Sequence, residues 1–236
     1  MQISTPNLNF KAKNPIIKQA DKAIRIIHRD YPMLSSTKSA KFNVVKNNNR
    51  NRNIVKDIIS SITLMRMRIT SLELNETPFE FYNKFLKTLK KHRLGNCGEQ
   101  VKLLNFILDL NGIRAEKALL GPSGLNHCVS IIPLTKNAIN DEILKKTPMN
   151  KLKNILIADP WLDVIGSPQK IANLYKNNYF YQKFLGDSKT AINVDVFFNS
   201  EHLDNIYLHP VIGSQHPVSK EMRASFKTSN PELFFK

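Results

Sequence analysis

The stretch LGNCGEQ at residues 94–100 decides the fold prediction for this chain. Asn96 is a favoured N-cap residue, and Glu99 three positions later completes an asparagine variant of the capping box. Apolar residues then recur at helical spacing until Gly112, which has the position of a C′ glycine. Cys97 is therefore predicted in the first turn of a largely buried helix.

The position of Cys97 favours a reactive thiol. Free N–H groups and the positive end of the helix dipole stabilise a thiolate, so a helix N-terminus lowers the pKa of a cysteine. Gly95 and Gly98 predict room for a substrate beside the sulfur. A lone cysteine is more often a small buried apolar residue, but the cap and the flanking glycines favour the nucleophile.

Three predicted strands follow the cysteine helix. They cover residues 112–120, 126–133 and 154–159. His127 lies near the start of the second strand, and Asp159 lies at the end of the third, before Pro160. A polar insert over residues 135–153 separates these two strands. An antiparallel meander packed on the helix, an α+β architecture, brings the Cys97, His127 and Asp159 side chains together.

These residue types suit acyl transfer by a thiol. His127 would deprotonate Cys97 and later protonate the leaving group, while Asp159 would hold the tautomer and stabilise the imidazolium. The backbone N–H of Cys97 would stabilise the oxyanion, with a second hydrogen bond from Gln100 or Asn96.

At this point the sequence resembles the transglutaminase-like superfamily within the papain-like fold group. The resembling strings are GNC at 95–97, GIRA at 112–115, NH at 126–127 and IADP at 157–160. The resemblance covers about residues 94–161. It implies a cysteine helix packed on an antiparallel sheet, with Cys97 as nucleophile, His127 as base and Asp159 as orienting residue.

The sequence departs from the superfamily pattern in two places. The interval from His127 to Asp159 is 32 residues, longer than the usual tight hairpin, so the insert loops out and Asp163 is the alternative orienting residue. Lys91 lies six positions before Cys97, where papain-like proteases carry the glutamine of their oxyanion hole. This second departure argues against ordinary papain-like proteolysis.

Two further residues near the predicted site need an interpretation. Trp161, the single tryptophan, either forms a wall of the acyl-acceptor channel or packs in the core beside the strand end. Cys128 follows His127 and, on a strand, faces the opposite side, which predicts a buried apolar residue. A zinc site could be formed only by Cys97, His127, Cys128 and His92, and these residues lack metal-ligand spacing. No metal or cofactor is predicted.

Three helices are predicted before residue 94. Apolar residues at helical spacing over residues 16–27 and 55–72 predict two of them, with an exposed loop at 46–53 between. The string TPFE at 77–80 has the N-cap pattern of the third. After the strands along the chain, a helix is predicted to start at Pro168 and a mobile tail at Asn230.

The positive charge is concentrated at one end of the chain. Residues 1–93 hold 19 Lys and Arg against 6 Asp and Glu, a net charge of +13 out of +16 for the whole chain. We therefore predict a basic helical region over 1–93 that packs on a catalytic core over 94–236. The basic helices would dock on an acidic protein or a membrane surface. Aromatic residues are not interleaved with the basic ones, which argues against nucleic acid.

Composition and resemblance together define the predicted function. Two cysteines exclude a disulfide-dense scaffold, no apolar run is long enough for a membrane span, and no Sec-type signal segment is recognised. GNCGE at 95–99 and DPW at 159–161 also resemble cysteine-dependent bacterial toxins and host-translocated effectors.

The predicted protein is thus a bacterial effector delivered to the host cytosol, or otherwise cytoplasmic. It would act on a host protein carrying a reactive glutamine, as a transglutaminase or glutamine deamidase. A cysteine protease with the same triad is the alternative enzyme, and a non-catalytic basic binding module is the alternative of another class.

Overall fold

The structure is a computed structural model that describes residues 15–35, 49–121, 127–135, 138–139, 144, 147–176, 207–211 and 216–235. The predictions on Asn126, on the turn at 122–124, on loop residues 46–48 and on parts of the insert lie outside these residues.

The described residues form helices and one antiparallel sheet. The helices are α1 (Pro15–Asp30), α2 (Asn49–Asn75), α3 (Pro78–His92), α4 (Cys97–Leu110), α5 (Pro168–Lys176) and α6 (Lys220–Ser229). The strands are β1 (Glu116–Gly121), β2 (Cys128–Pro133), β3 (Ile155–Asp159), β4 (Val164–Gly166) and β5 (Tyr207–Pro210). Short 3₁₀ helices span Met149–Lys151 and Pro231–Leu233. The predicted α+β class is confirmed.

The sheet contains the antiparallel meander that the sequence predicts, with two additional strands. Its strand order is β4-β3-β2-β1-β5, and every neighbouring pair is antiparallel. The additional strands are β4, which pairs with β3 at one edge, and β5, which pairs with β1 at the other. In the β2–β3 pair Ser130 lies opposite Ala158 and Pro133 opposite Ile155. This register determines where the ends of both strands meet.

Local capping explains why α3 and α4 begin where they do. Thr77 Oγ1 accepts the Glu80 N–H at 3.4 Å, and the Glu80 carboxylate accepts the Thr77 N–H at 3.2 Å. At the start of α4 the Glu99 carboxylate accepts the Asn96 N–H at 2.8 Å. Both helix starts were predicted from sequence, because a capping box depends on residues only three positions apart.

The predicted C′ glycine also has its expected role. Gly112 has φ +77°, and its N–H donates to Asp109 at 2.9 Å while the Ile113 N–H donates to Leu108 at 2.9 Å. This pair of bonds is a Schellman motif, which ends α4 and turns the chain toward β1.

Two hydrophobic clusters cover the two faces of the sheet. The helix-side cluster includes Ile132, Leu156 and Ala158 together with buried residues of α1, α2, α3, α4 and α6. The insert-side cluster includes Ile131, Ile155, Ile157, Leu144, Met149, Leu152, Trp161 and Ile171. Alternate strand residues thus enter opposite clusters, as the two-residue period of a strand requires. The described part of the insert therefore covers one face of the sheet.

The basic helices are part of the same packing as α4. Ile24 and Ile27 of α1 and Phe85 of α3 are buried in the helix-side cluster. The Tyr82 ring stacks on the Phe106 ring of α4 with centroids 3.8 Å apart. The division of the chain at residues 93 and 94 stays a prediction, although helices on both sides of it share one cluster.

Two predictions on exposed segments are wrong. Residues 49–53 belong to α2, so the predicted loop does not extend over them. In the predicted mobile tail, Leu233 is buried and the Phe235 N–H donates to Asn111 Oδ1 at 2.8 Å. The tail therefore packs against the C-terminal end of α4. No helix in the described segments has the length and apolar character needed to cross a membrane.

Candidate active site

The β2–β3 hairpin brings His127 to Asp159. Extending its register from Ser130 and Ala158 places residue 127 opposite residue 161, beside Asp159. His127 Nε2 and Asp159 Oδ2 are 2.7 Å apart, and both side chains are buried. The insert connects the opposite ends of these strands, at Pro133 and Ile155. Its length therefore does not affect the distance between the two side chains.

The second oxygen of Asp159 is bound by the turn that follows β3. Asp159 Oδ1 accepts the N–H groups of Trp161 and Leu162, each at 3.1 Å. His28 of α1 donates from Nε2 to the Pro160 carbonyl at 2.8 Å. Since one carboxylate oxygen is held by the turn, the other is oriented toward the imidazole.

Asp163, the alternative orienting residue, has another environment. Its side chain is 52% exposed, and its Oδ1 lies 3.9 Å from His28 Nδ1. The structure thus pairs His127 with Asp159. The Trp161 ring lies beside His127 with centroids 5.3 Å apart, and it is buried in the insert-side cluster. This burial supports the packing interpretation of Trp161, and its role in an acceptor channel stays a prediction.

Cys97 joins this pair from the first turn of α4. Its thiol hydrogen-bonds the His127 imidazole, so the three predicted residues form one connected group. The Cys97 thiol also hydrogen-bonds the Cys128 thiol. The prediction that Cys128 faces away is therefore wrong. His127 precedes the first residue of β2, so strand alternation does not separate the two side chains.

The surroundings of Cys97 oppose its ionisation. The hydrogen bond with Cys128 and burial raise the pKa of the Cys97 thiol, and the His127 imidazole acts in the opposite direction. The hydrogen bond from Cys97 lowers the pKa of Cys128. The expectation of a pKa lowered by the helix N-terminus is thus wrong. Because its pKa is raised, Cys97 is a neutral thiol unless its proton is transferred to His127.

His127 is a strong proton acceptor. Burial disfavours the imidazolium, but the Asp159 carboxylate and Cys97 outweigh burial and raise the pKa of His127 to about 10. The chemical consequence is an imidazole that takes a proton readily and holds it beside a carboxylate. A group with this pKa is protonated near neutral pH, so it can receive the proton of a neutral thiol only in its neutral form.

An ion pair from α2 holds the start of α4. Arg66 Nε and Nη2 donate to the two carboxylate oxygens of Glu99 at 2.7 and 3.0 Å. Glu99 is buried and also accepts the Asn96 N–H, so one carboxylate links α2, the N-cap and the first turn. Sequence reasoning missed Arg66, whose only signal is its place beside the buried face of α2 that carries Met65 and Ile69.

A buried polar pair ties β2 to α4. Ser130 Oγ donates to Asn105 Oδ1, and both residues are buried. Ser130 lies three residues after His127, and Asn105 lies on the helix that begins with Cys97. This pair, also missed in the sequence, holds together the two elements that carry the base and the thiol.

The two glycines beside Cys97 differ in their surroundings. A Cβ at Gly95 would lie 2.7 Å from Met33 Sδ, so the absence of a side chain there serves packing. At Gly98 such an atom would have one neighbour, the Arg66 guanidinium at 3.9 Å. The prediction of room on both sides is therefore wrong for Gly95. Space beside the sulfur lies on the Gly98 side.

Gln100 has an unsatisfied acceptor near the candidate nucleophile. The residue is 2% exposed, lies one turn after Cys97, and its Oε1 has no hydrogen-bond partner among the described residues. Buried polar atoms are nearly always bonded, so this unpartnered carbonyl oxygen is a candidate acceptor for an N–H or O–H group of a ligand. The oxyanion roles of Gln100 and Asn96 stay predictions.

No group of three or more His, Cys, Asp and Glu side chains within the described segments could hold a metal ion. His92 lines a groove with residues of α2 and α3. No protein family, curated protein or solved structure matches the chain.

Proposed function

We propose that the chain is a cysteine-dependent acyltransferase or hydrolase that acts on glutamine carboxamides of proteins. The observation that carries this proposal is the hydrogen-bonded series Cys97, His127 and Asp159. A thiol at a helix start, a base bonded to it and a carboxylate that orients the base are the parts that nucleophilic acyl transfer needs. A cysteine helix against an antiparallel sheet supports a transglutaminase-like core.

The proposed reaction begins with a proton transfer. The Cys97 proton passes to His127 as the sulfur attacks the carboxamide carbon, and the new imidazolium is stabilised by Asp159. The Cys97 N–H, with Gln100 or Asn96, donates to the oxyanion. His127 then gives its proton to the leaving nitrogen, so ammonia departs and a thioester remains.

The second half-reaction decides the class of enzyme. Attack by water on the thioester returns the Cys97 thiol and leaves a glutamate, which is deamidation. Attack by a primary amine returns the thiol and leaves a new amide bond, which is cross-linking. The same first half-reaction on a backbone peptide would be proteolysis, and Lys91 in place of the upstream glutamine speaks against that alternative.

One observation favours a second candidate of another class. The pKa of Cys97 is raised, chiefly by its hydrogen bond with Cys128. A thiol that resists ionisation fits a binding module that keeps the fold without turnover and docks through its basic helices. The reactivity of Cys97 therefore separates the two candidates.

The proposed substrate is a host protein with a reactive glutamine. The proposal follows the likeness of GNCGE and DPW to bacterial effectors, and it includes delivery to the host cytosol. The reaction needs no cofactor, since the thiol and the imidazole supply the nucleophile and the proton transfers.

Incorporation of a fluorescent primary amine into proteins of a eukaryotic lysate tests the proposal. Ammonia release and new fragments are measured in the same samples, for wild type and Cys97→Ala. Loss of the nucleophile should lower the rate by on the order of 10⁶, to background. Amine labelling that depends on Cys97 would indicate a transglutaminase. Cys97-dependent ammonia release without labelling would indicate a deamidase, and Cys97-dependent fragments would indicate a protease. Equal results for both proteins in all three assays would overturn the enzymatic proposal.

A further inference from the structure

A basic groove of about 200 Å³ lies between α2 and α3, apart from the candidate nucleophile and its partners. Leu72 and Thr88 contribute to its lining. Its basic side chains are Arg68, Lys84, Lys87, Lys91 and His92. The three lysines are spaced at i, i+3 and i+7 on α3, so they project from one side of that helix.

Three cations of this groove have no ion-pair partner within the described segments. Lys84 pairs with Glu76 at 2.5 Å, but no carboxylate there forms an ion pair with Arg68, Lys87 or Lys91. The neighbouring Lys90 differs, because it pairs with Glu232 at 3.0 Å. The groove therefore keeps three uncompensated positive charges on two facing helices, which attract an anionic ligand.

An apolar stripe on α2 borders the groove. Leu64, Met67 and Leu74 are 67%, 66% and 79% exposed. Their spacing places them on the solvent side of α2, opposite its buried face. Leu64 lies one helical turn before Arg68, so these two side chains are neighbours on the surface of α2. Exposed apolar residues beside convergent charges are typical of a protein-binding site.

We propose that this surface docks an acidic, amphipathic protein segment. Its carboxylates would pair with Arg68, Lys87 and Lys91, and its apolar side chains would cover the stripe of Leu64 and Met67. The inference concerns binding alone and does not depend on the proposed catalysis. It assigns the contact with an acidic partner to one surface of the basic region over residues 1–93.

Two other anionic ligands fit the surface less well. Nucleic acid binding of single strands uses aromatic platforms for stacking, and the only aromatic ring in the groove lining is that of His92. An interfacial helix buries a broad apolar face in the membrane, whereas the exposed Ser60 and Ser71 interrupt the stripe. Charge complementarity together with few apolar contacts favours a protein segment.

Binding of a labelled peptide to the full chain tests this inference. The probe is a helical peptide of about twenty residues with Glu and Leu on opposite faces, measured by fluorescence anisotropy. The groove variant replaces Arg68, Lys87 and Lys91 with Ala. The control variant replaces the exposed Lys18, Lys220 and Lys227 with Ala, which removes the same charge elsewhere.

The groove variant should weaken binding by about tenfold or more, and the control by less than about twofold. Replacing Leu64 and Met67 with Ser should weaken it several-fold, and a probe with Ser in place of Leu should bind less tightly to wild type. Equal weakening by the groove and control variants would overturn the inference. Tighter groove-dependent binding of phosphatidylserine vesicles or oligo-dT would also overturn it, in favour of those ligands.

Binding in the Cys97→Ala background separates this inference from the proposed function. If the inference is correct, the peptide binds that variant and wild type equally. If the chain binds the peptide but shows no turnover, the proposed catalytic function is wrong and the docking inference stands.

Discussion

Charged side chains are buried and paired in the candidate active site, whereas several in the basic groove are exposed and unpaired within the described part of the chain. At the site, His127, Asp159 and Glu99 are buried, and each contacts a partner of opposite charge or a hydrogen-bond donor. In the groove, Lys87 and Lys91 are exposed and form no ion pair within the described residues. A buried charge without a partner is strongly destabilising, whereas water solvates an exposed one.

Removal of a buried charge and removal of an exposed one should therefore have different effects in this molecule. Removal of one buried partner leaves another charge desolvated, so both stability and chemistry should change. Removal of a groove cation should leave the fold intact and change only what binds there.

Asp159→Asn and Asp163→Asn compare a buried carboxylate with an exposed one. Asp159→Asn should lower the rate of amine incorporation or ammonia release by about 10⁴, since an amide does not stabilise the imidazolium. The pKa of His127 should fall as well, because the carboxylate raises it. Asp163→Asn should leave both unchanged. Initial rates and an NMR titration of the His127 ring measure these effects, and equal losses in the two variants would contradict the assignment.

Arg66→Ala and Arg68→Ala compare two arginines of the same helix. Arg66→Ala removes both hydrogen bonds to the Glu99 carboxylate and should lower the free energy of unfolding by about 1–3 kcal/mol. Arg68→Ala should change it by less than about 0.5 kcal/mol. Urea unfolding followed by circular dichroism measures both. A destabilised Arg68→Ala, or an unaffected Arg66→Ala, would remove the contrast between the two regions.

Cys128→Ala tests the cause of the raised pKa of Cys97. The hydrogen bond that Cys97 donates to Cys128 raises that pKa, so its removal should shift the alkylation profile of Cys97 to lower pH. Iodoacetamide labelling across pH, with mass spectrometry of the Cys97 peptide, measures the shift. Cys128→Ser keeps a hydrogen-bonding group and should stay closer to wild type. An unchanged profile in Cys128→Ala would mean that burial alone sets the pKa.

Much of the candidate site could be predicted because its signals are local. The N-cap of α4 involves Asn96 and Glu99, three residues apart, and Gly112 terminates the same helix. The placement of His127 and Asp159 at strand ends follows from apolar runs and from Pro160. Pairing of neighbouring strands then brings the two side chains together, whatever the length of the insert between the far ends.

Other features depended on contacts that no local pattern encodes. Arg66 and Glu99 are 33 residues apart, and Ser130 and Asn105 are 25 apart. The buried tail at Leu233 likewise depends on a surface formed by distant segments. Each of these contacts follows from how helices and strands pack, which the periodicity of any one element does not reveal.

The three candidate site residues, the helix start that carries the thiol and the α+β class could all be predicted from the amino-acid sequence. These depend on capping, turn and periodicity rules that act over a few residues. Three features depend on tertiary packing. Cys128 faces Cys97, Met33 occupies the space beside Gly95, and the pKa of the Cys97 thiol is raised. The physical reason is that desolvation and hydrogen bonding depend on every group surrounding an atom, and those groups meet only in the folded chain.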